Sequence, residues 1–335
     1  MSMTNTMKAV QLQVTGGPEV LSLVELPLPV PGPGQVRVKA EAIGAGGPDV
    51  LIRNGSYKWM PPLPAIPGNE LAGVVDAAGP GASRLAVGER VLVSARELPQ
   101  RGGCYAEYIC VPEAVPFVLP ASVSFDAAVS LGNFQLAIAL LASNGNLPAQ
   151  AVLVPGAAGG VATALAQVAR SRGLRVIGTA SSEEKRAFAL ENGVSDIVDG
   201  DPQALPERVL ALTGGRGVDL AFDHVGGALF VACLRSLAPS GMAVSYNILA
   251  GPPSSDVFEE LRRLLGRSLA IRTFSIHAVD ADVAQRRGLM EQAIALMASG
   301  QVRAPRATRL PLAEARRAHE LLDNGGSLGK LVLVP

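Results

Sequence analysis

Val152-Leu153-Val154-Pro155-Gly156-Ala157-Ala158-Gly159-Gly160-Val161-Ala162 runs three apolar residues into a turn built almost wholly of glycine and alanine. A helical period begins at Val161, with Leu165, Val168 and Ala169 on one face. A strand, a tight turn and a helix opening in this order let backbone approach a pyrophosphate, whose charge rests against the helix N-terminus. Gly156, Ala158, Gly159, Gly160 and Val161 are the candidate contacts. A plain strand-to-helix corner has the same local pattern. The strands and helices that follow favour dinucleotide binding.

The next strand bears on which dinucleotide. An acidic residue about twenty positions beyond the glycines would take the ribose hydroxyls of NAD. The chain there reads Gly178-Thr179-Ala180-Ser181-Ser182, with no carboxylate, and Lys185 and Arg186 follow one turn later. Hydroxyls and cations suit a 2′-phosphate, so Ser181 and Lys185 point to NADPH. Ser181-x-x-Glu184 also fits a capping box, a role compatible with the first. Asp223 ends a later strand at the ligand edge of the sheet, where it serves equally well as a helix cap, and His224 beside it reads as structural.

The elements that must hold these residues fall into two patterns. Residues 1 to about 127 contain short apolar stretches (Ala9–Val14, Val36–Ala42, Ala72–Ala77, Arg90–Val93, Tyr105–Val111) between Gly and Pro turns, as in a barrel-like β domain. Beyond Ser130, strands alternate with helices: Ala151–Val154, Arg175–Thr179, Ile197–Val198, Val218–Phe222, Ala243–Tyr246 and Leu269–Phe274. Such alternation implies a doubly wound parallel sheet. Helices over Ala281–Ser299 and Leu312–Leu322 and a final strand Lys330–Val334 close the chain. The expected division is 1–127, 128–274 and 275–335.

Bulk properties exclude several classes. The 335 residues hold 29 Lys and Arg against 29 Asp and Glu, so no net field attracts nucleic acid or an anionic membrane. Aromatic residues are 4%, too few to stack bases along a strand. No uninterrupted apolar run reaches the ~18 residues of a membrane span. The first residues lack the basic-then-apolar layout of a signal peptide, and the expected compartment is the cytoplasm. Cys104, Cys110 and Cys233 are sparse and odd in number, against a disulfide framework, and no Cys or His pair has metal-ligand spacing.

A set of motifs in order along nearly the whole chain resembles one family. These are Ala42-Ile43-Gly44 with Asp49 and Arg53-Asn54-Gly55, Pro67-Gly68-Asn69-Glu70-x-Ala72-Gly73, Gly88-Glu89-Arg90-Val91, Gly103-x-Tyr105-Ala106-Glu107-Tyr108, the Ala-Ala-Gly-Gly turn, Asp223-x-Val225-Gly226 and Gly329-Lys330. The chain resembles the zinc-free quinone oxidoreductases, the zeta-crystallin-like branch of the medium-chain dehydrogenase/reductases. The resemblance implies an α/β protein with a GroES-like β-barrel catalytic domain and a Rossmann domain, the C-terminal segment completing the barrel. It implies a substrate cleft between the domains and a homodimer joined along the Rossmann sheet edge at Leu269–Phe274.

The same resemblance assigns roles. Where zinc-using relatives place a Cys, a His and another Cys or Asp, this chain reads Gly46-Gly47-Pro48-Asp49, Gly68-Asn69-Glu70 and Gly132-Asn133, and no loop for a structural zinc fits between Ser94 and Gly103. No metal is expected. Tyr57 in Gly55-Ser56-Tyr57 resembles the active-site tyrosine of quinone reductases and enoyl thioester reductases. As a neutral phenol it can donate to the acceptor. Asn69 is a candidate for orienting substrate or water, and Trp59 and Met60 for an apolar lip. Asn247 resembles residues near the nicotinamide, and Asn324 and Lys330 resemble tail positions near the cofactor phosphates. Phe134-Gln135-Leu136 lacks the hydroxyl usual at this point, leaving Asn133 or Gln135 to replace it. The expected reaction is hydride transfer from NADPH to a quinone or enone. The alternatives are an enoyl thioester reductase and a non-catalytic NADPH-binding sensor or structural protein.

Overall fold

The computed structural model describes residues 5–144, 148–325 and 328–335. The chain folds into two compact units, Met1–Gly132 with Ala304–Pro335, and Asn133–Arg303.

The first unit is a barrel-like sheet. Ala307–Pro311, Lys330–Val334, Gln35–Ala45, Glu70–Ala78, Arg90–Ser94 and Phe117–Val118 lie side by side, and Tyr108–Pro112 also pairs Gln35–Ala45. The last strand reaches the unit from the far end of the sequence, with Val332 opposite Gly44. Alternation sends Val36, Val38, Ile43, Leu71 and Val91 into one core with Leu331 and Leu333. Gly73 is required there: a Cβ would stand 1.8 Å from the Lys39 carbonyl oxygen on the neighbouring strand.

The second unit is a six-stranded parallel sheet in the order Asp196–Val198, Arg175–Thr179, Ala151–Val154, Val218–Asp223, Leu237–Ser245, Ala270–Thr273. Successive strands run outward on both sides of Ala151–Val154, so the order reverses beside it. The crevice at such a reversal, outside the carboxyl ends of the strands, is where open α/β sheets bind ligands. Val152, Leu153 and Val154 are fully buried, as a strand covered on both faces demands. The helix Gly160–Ser171 lays Ala162, Leu165, Ala166, Val168 and Ala169 on the sheet. Its small side chains permit a close fit.

Two expectations need correction. The unit boundary falls after Arg303, so residues 275–303 belong with the parallel sheet. The helix Val283–Ala298 is held there by Gln135, whose Nε2 donates to the Arg286 carbonyl at 2.8 Å. The stretch Phe125–Ala142 is, by length and composition alone, apolar enough to cross a membrane, with mean hydropathy 1.5; 61% of it is buried within the fold, as in a core helix. Finally, Leu237–Ser245 is longer than the expected Ala243–Tyr246. Pro239-Ser240-Gly241 reads as a turn, yet the strand passes through it with a register shift against Val218–Asp223 and Ser240 at φ 63°.

Candidate functional site

The glycine corner is built by backbone. Gly156 leaves the strand with φ 60°, and Gly159 caps the helix Gly160–Ser171. The amides of the first helical turn have no helical carbonyl four residues back and so remain available to an anion. Side chains are kept out. A Cβ on Gly156 would lie 2.9 Å from His224 Cε1, and one on Gly160 would lie 2.8 Å from Asn133 Nδ2. Gly178 on the neighbouring strand performs the same service from below, since its Cβ would be 2.7 Å from that of Ala157. Thr179 ties the turn down, its hydroxyl accepting from Gly156 N at 3.0 Å and its carbonyl from Ala157 N at 2.9 Å. Exposed Gly159 and Gly160, with half-buried Gly156, Ala158 and Val161, form a cradle that fits a dinucleotide pyrophosphate.

Asn133 lies at this cradle; Gln135 does not, being buried against Arg286. The cap of the next helix is Ser182, whose Oγ accepts from Lys185 N at 3.3 Å, and Ser181 is left exposed. The N-cap therefore falls one residue beyond the expected Ser181, with Lys185 and not Glu184 at its third helical position, so the expected capping box does not form. Lys185 is half-buried on that first turn. Asp223 accepts from Val225 N at 3.0 Å and Gly226 N at 2.8 Å, so its carboxylate organises the following turn. Asn247 is exposed two residues past its strand, with Oδ1 accepting from Ile248 N at 2.9 Å. Two residues at the corner carried no signal in the sequence: His224, which faces the turn, and Tyr246, whose hydroxyl is 3.2 Å from His224 Nδ1.

The barrel constellation is built by side chains. The short helix Gly47–Arg53 presents Asp49, which is buried and accepts from Gly46 N at 2.8 Å and from Asn69 Nδ2 at 2.7 Å. Burial pushes the Asp49 carboxyl up to about 6, against the opposing pull of the Asn69 bond and of the Lys330 charge. Glu70 accepts from Lys330 Nζ at 2.6 Å and from Gly132 N at 3.1 Å. Lys330 is thus a buried partner of Glu70. Asn324 is exposed and bonds Glu320 of its own helix at 2.8 Å. Deeper in the barrel, the Tyr105 hydroxyl lies 3.1 Å from His319 Nε2, and His319 Nδ1 lies 3.4 Å from Arg53, which pairs with Asp323 at 3.0 Å.

Tyr57 follows the helix Gly47–Arg53 and packs edge-on to Trp59, ring centroids 5.7 Å apart. Arg101 stacks on Trp59 at 5.5 Å and is hydrogen-bonded to Tyr57. Burial raises the Tyr57 phenol, and the positive charges of Arg101 and Arg96 oppose that rise. Arg101 lies outside every motif; its approach to Tyr57 depends on a loop contact, Arg101 N to the Trp59 carbonyl at 3.4 Å. Met60 packs against the barrel core.

Two sequence profiles match the chain: "Alcohol dehydrogenase GroES-like domain" over residues 32–121 and "Zinc-binding dehydrogenase" over residues 160–298. A quinone oxidoreductase of Salmonella typhimurium is 32% identical over 97% of this chain and 99% of its own. The chain belongs to the quinone oxidoreductases of the medium-chain dehydrogenase/reductase superfamily. The solved structure of a mycobacterial quinone oxidoreductase is 32% identical, with TM-score 0.84, over 98% of this chain and all of the other. The Escherichia coli quinone oxidoreductase, solved with NADPH, is 28% identical with TM-score 0.81 over 98% of this chain and 100% of its own. The protein is an oxidoreductase of this family, with a GroES-like and a Rossmann domain and a small-molecule substrate, and its nucleotide-binding fold supports use of a nicotinamide dinucleotide.

A zinc ion does not fit the barrel donors. Asn69 gives an N–H to Asp49, and the cation beside Glu70 is the Lys330 ammonium. Among the described residues no group of three His, Cys, Asp or Glu is gathered to hold a metal ion.

Proposed function

We propose that this protein is a zinc-independent reductase that uses NADPH to reduce quinones or other carbonyl-conjugated alkenes. The observation that carries the reading is the open glycine cradle at Gly156–Val161, kept clear of side chains at a helix start. Gly156, Ala158, Gly159, Gly160 and Val161 would hold the pyrophosphate through backbone amides, with Asn133 beside them. The absence of a carboxylate after the strand Arg175–Thr179, with Ser181 and Lys185 in its place, supports a 2′-phosphate. Asn247 on the same unit, and Asn324 and Lys330 in the tail, are weaker candidates; the Glu70 bond counts against Lys330.

When bound, the reduced nicotinamide supplies a hydride. Tyr57 is a neutral phenol at ordinary pH, a state that burial reinforces by raising it further, so it can donate to the charge that develops on an acceptor. Arg101 steadies the phenol and its ring neighbour Trp59. Asp49 fixes the Asn69 amide by taking one of its N–H groups, which leaves its carbonyl and remaining N–H to orient a substrate. Steady-state NADPH oxidation with small ortho- and para-quinones tests the reading. Turnover is expected, and no turnover with any quinone or enone overturns it.

The phenol also supports a second reading, an enoyl thioester reductase, since carbon must be protonated there by a placed acid. Tyr57→Phe should abolish enoyl reduction and leave quinone reduction largely intact, because water can protonate oxygen. Crotonyl-CoA against a quinone separates the two. A protein that binds NADPH and oxidises it with neither acceptor would be the non-catalytic alternative. The reading includes a homodimer paired along the edge strand Ala270–Thr273, which sedimentation would detect.

A further inference from the structure

His224 and Tyr246 stand outside the reading above. His224 follows the strand Val218–Asp223, and Tyr246 follows its neighbour Leu237–Ser245. The Tyr246 hydroxyl lies 3.2 Å from His224 Nδ1, and the two rings lie 5.6 Å apart, tilted by 35°. The opposite edge of the imidazole faces the glycine turn. Its Nε2 is 3.2 Å from the place of a Cβ on Gly156 and 3.9 Å from that on Gly159. A side chain on Gly156 would therefore strike this histidine.

The hydrogens follow from the partners. Burial raises the Tyr246 phenol, so it keeps its hydrogen. A buried hydroxyl hydrogen needs an acceptor, and His224 Nδ1 is the one in reach among the described residues. Burial also holds His224 below its usual range, which leaves a neutral ring. A neutral imidazole with Nδ1 accepting carries its hydrogen on Nε2. That N–H faces the cradle with no protein acceptor among the described residues. The Asp223 carboxylate next to it is already engaged by Val225 N and Gly226 N, so it does not compete for the ring.

We propose that His224 is a cofactor-binding residue: its Nε2–H, with the tautomer set by Tyr246, donates to a pyrophosphate oxygen of the dinucleotide seated on Gly156–Gly159. The proposal rests on the NADPH reading above. It adds a directed side-chain donor to a cradle otherwise made of backbone. Tyr246 is a positioning residue, acting only through His224.

The test is NADPH titration by nucleotide fluorescence on the wild type, His224→Phe, His224→Gln and Tyr246→Phe, with ¹⁵N histidine spectra of the unliganded wild type and Tyr246→Phe. His224→Phe should weaken NADPH about ten-fold, the range expected for a lost hydrogen bond to a charged group. His224→Gln keeps an N–H on a chain of similar reach and should stay within about three-fold. The wild-type spectrum should show the Nε2–H tautomer, and Tyr246→Phe a mixture with weaker binding, a change that a packing role would not produce. A wild type that binds NADPH while His224→Phe binds within about two-fold overturns the proposal alone. So does an Nδ1–H tautomer in the wild type. If His224→Phe fails to fold, unchanged tautomer and affinity in Tyr246→Phe overturn it instead. A wild type that binds neither NADPH nor NADH overturns the reading beneath it.

Discussion

The glycine corner and the barrel constellation use opposite materials. At the corner, backbone lines the cradle: Gly156 and Gly160 exclude side chains, and Thr179 holds the turn from below. In the barrel, side chains bond one another at depth: Asp49 with Asn69, Glu70 with Lys330, Tyr105 with His319. A cradle for a constant ligand part needs shape and free amides. A place for chemistry needs groups whose protonation and direction are fixed, and burial with paired partners fixes both. Damage should differ accordingly: changes at the corner should cost affinity, and changes in the barrel should cost stability and alter pH dependence.

The largest effect is expected from Lys330→Met. It leaves the half-buried Glu70 carboxylate without its ammonium, a loss of up to about 3 kcal/mol in urea unfolding. Adding Glu70→Gln to it should recover much of that loss. If Lys330→Met leaves stability unchanged and weakens NADPH instead, the residue belongs to the cofactor and not to the barrel.

Asp49→Asn sharpens the contrast through pH. Burial, with Arg53 adding to it, lowers His319 from 6.5 to about 4, so the unfolded chain takes up this proton first. Stability from this group falls as pH drops from about 6.5 to 4. Burial raises Asp49 from 3.8 to about 6, so the folded chain takes up that proton first and gains stability as pH falls through 6. The two shifts oppose each other over nearly the same window, each worth about 3 kcal/mol. Urea midpoints of the wild type should stay nearly level in their contribution between pH 7 and 4.5. Asp49→Asn should lose about 3 kcal/mol across that interval, and an unchanged slope would remove Asp49 from the account of acid stability.

Gly156→Ala should weaken NADPH about ten- to hundred-fold, because a Cβ at φ 60° is strained and meets His224. Barrel unfolding should be unaffected. The smallest effect is Ser182→Ala, a lost helix cap costing about 1 kcal/mol by thermal unfolding. Ser181→Ala should cost nothing in stability, and a stability loss there would restore the cap to Ser181.

Much of the fold is legible because its signals are local. Ala151–Val154, Arg175–Thr179 and Lys330–Val334 are compact apolar runs between clear breakers, and the structure has strands over the same residues. The edge of Leu237–Ser245 is hidden by Pro239-Ser240-Gly241, where turn-forming residues serve a bulge. The glycine corner is legible for the same local reason, since its residues are consecutive. The barrel constellation is not: Glu70 and Lys330 meet across 260 positions, and Arg101 reaches Tyr57 only through a loop contact. His224 reads as structural because no pattern reveals that Tyr246 fixes one nitrogen and the turn lies beside the other.

The most direct measurement is quinone-dependent oxidation of NADPH by protein dialysed against a strong chelator, with bound metal determined on the same sample. Full turnover in metal-free protein, with NADPH preferred over NADH, is the expected result. Activity that disappears on dialysis and returns with zinc would contradict direct transfer to an organic acceptor.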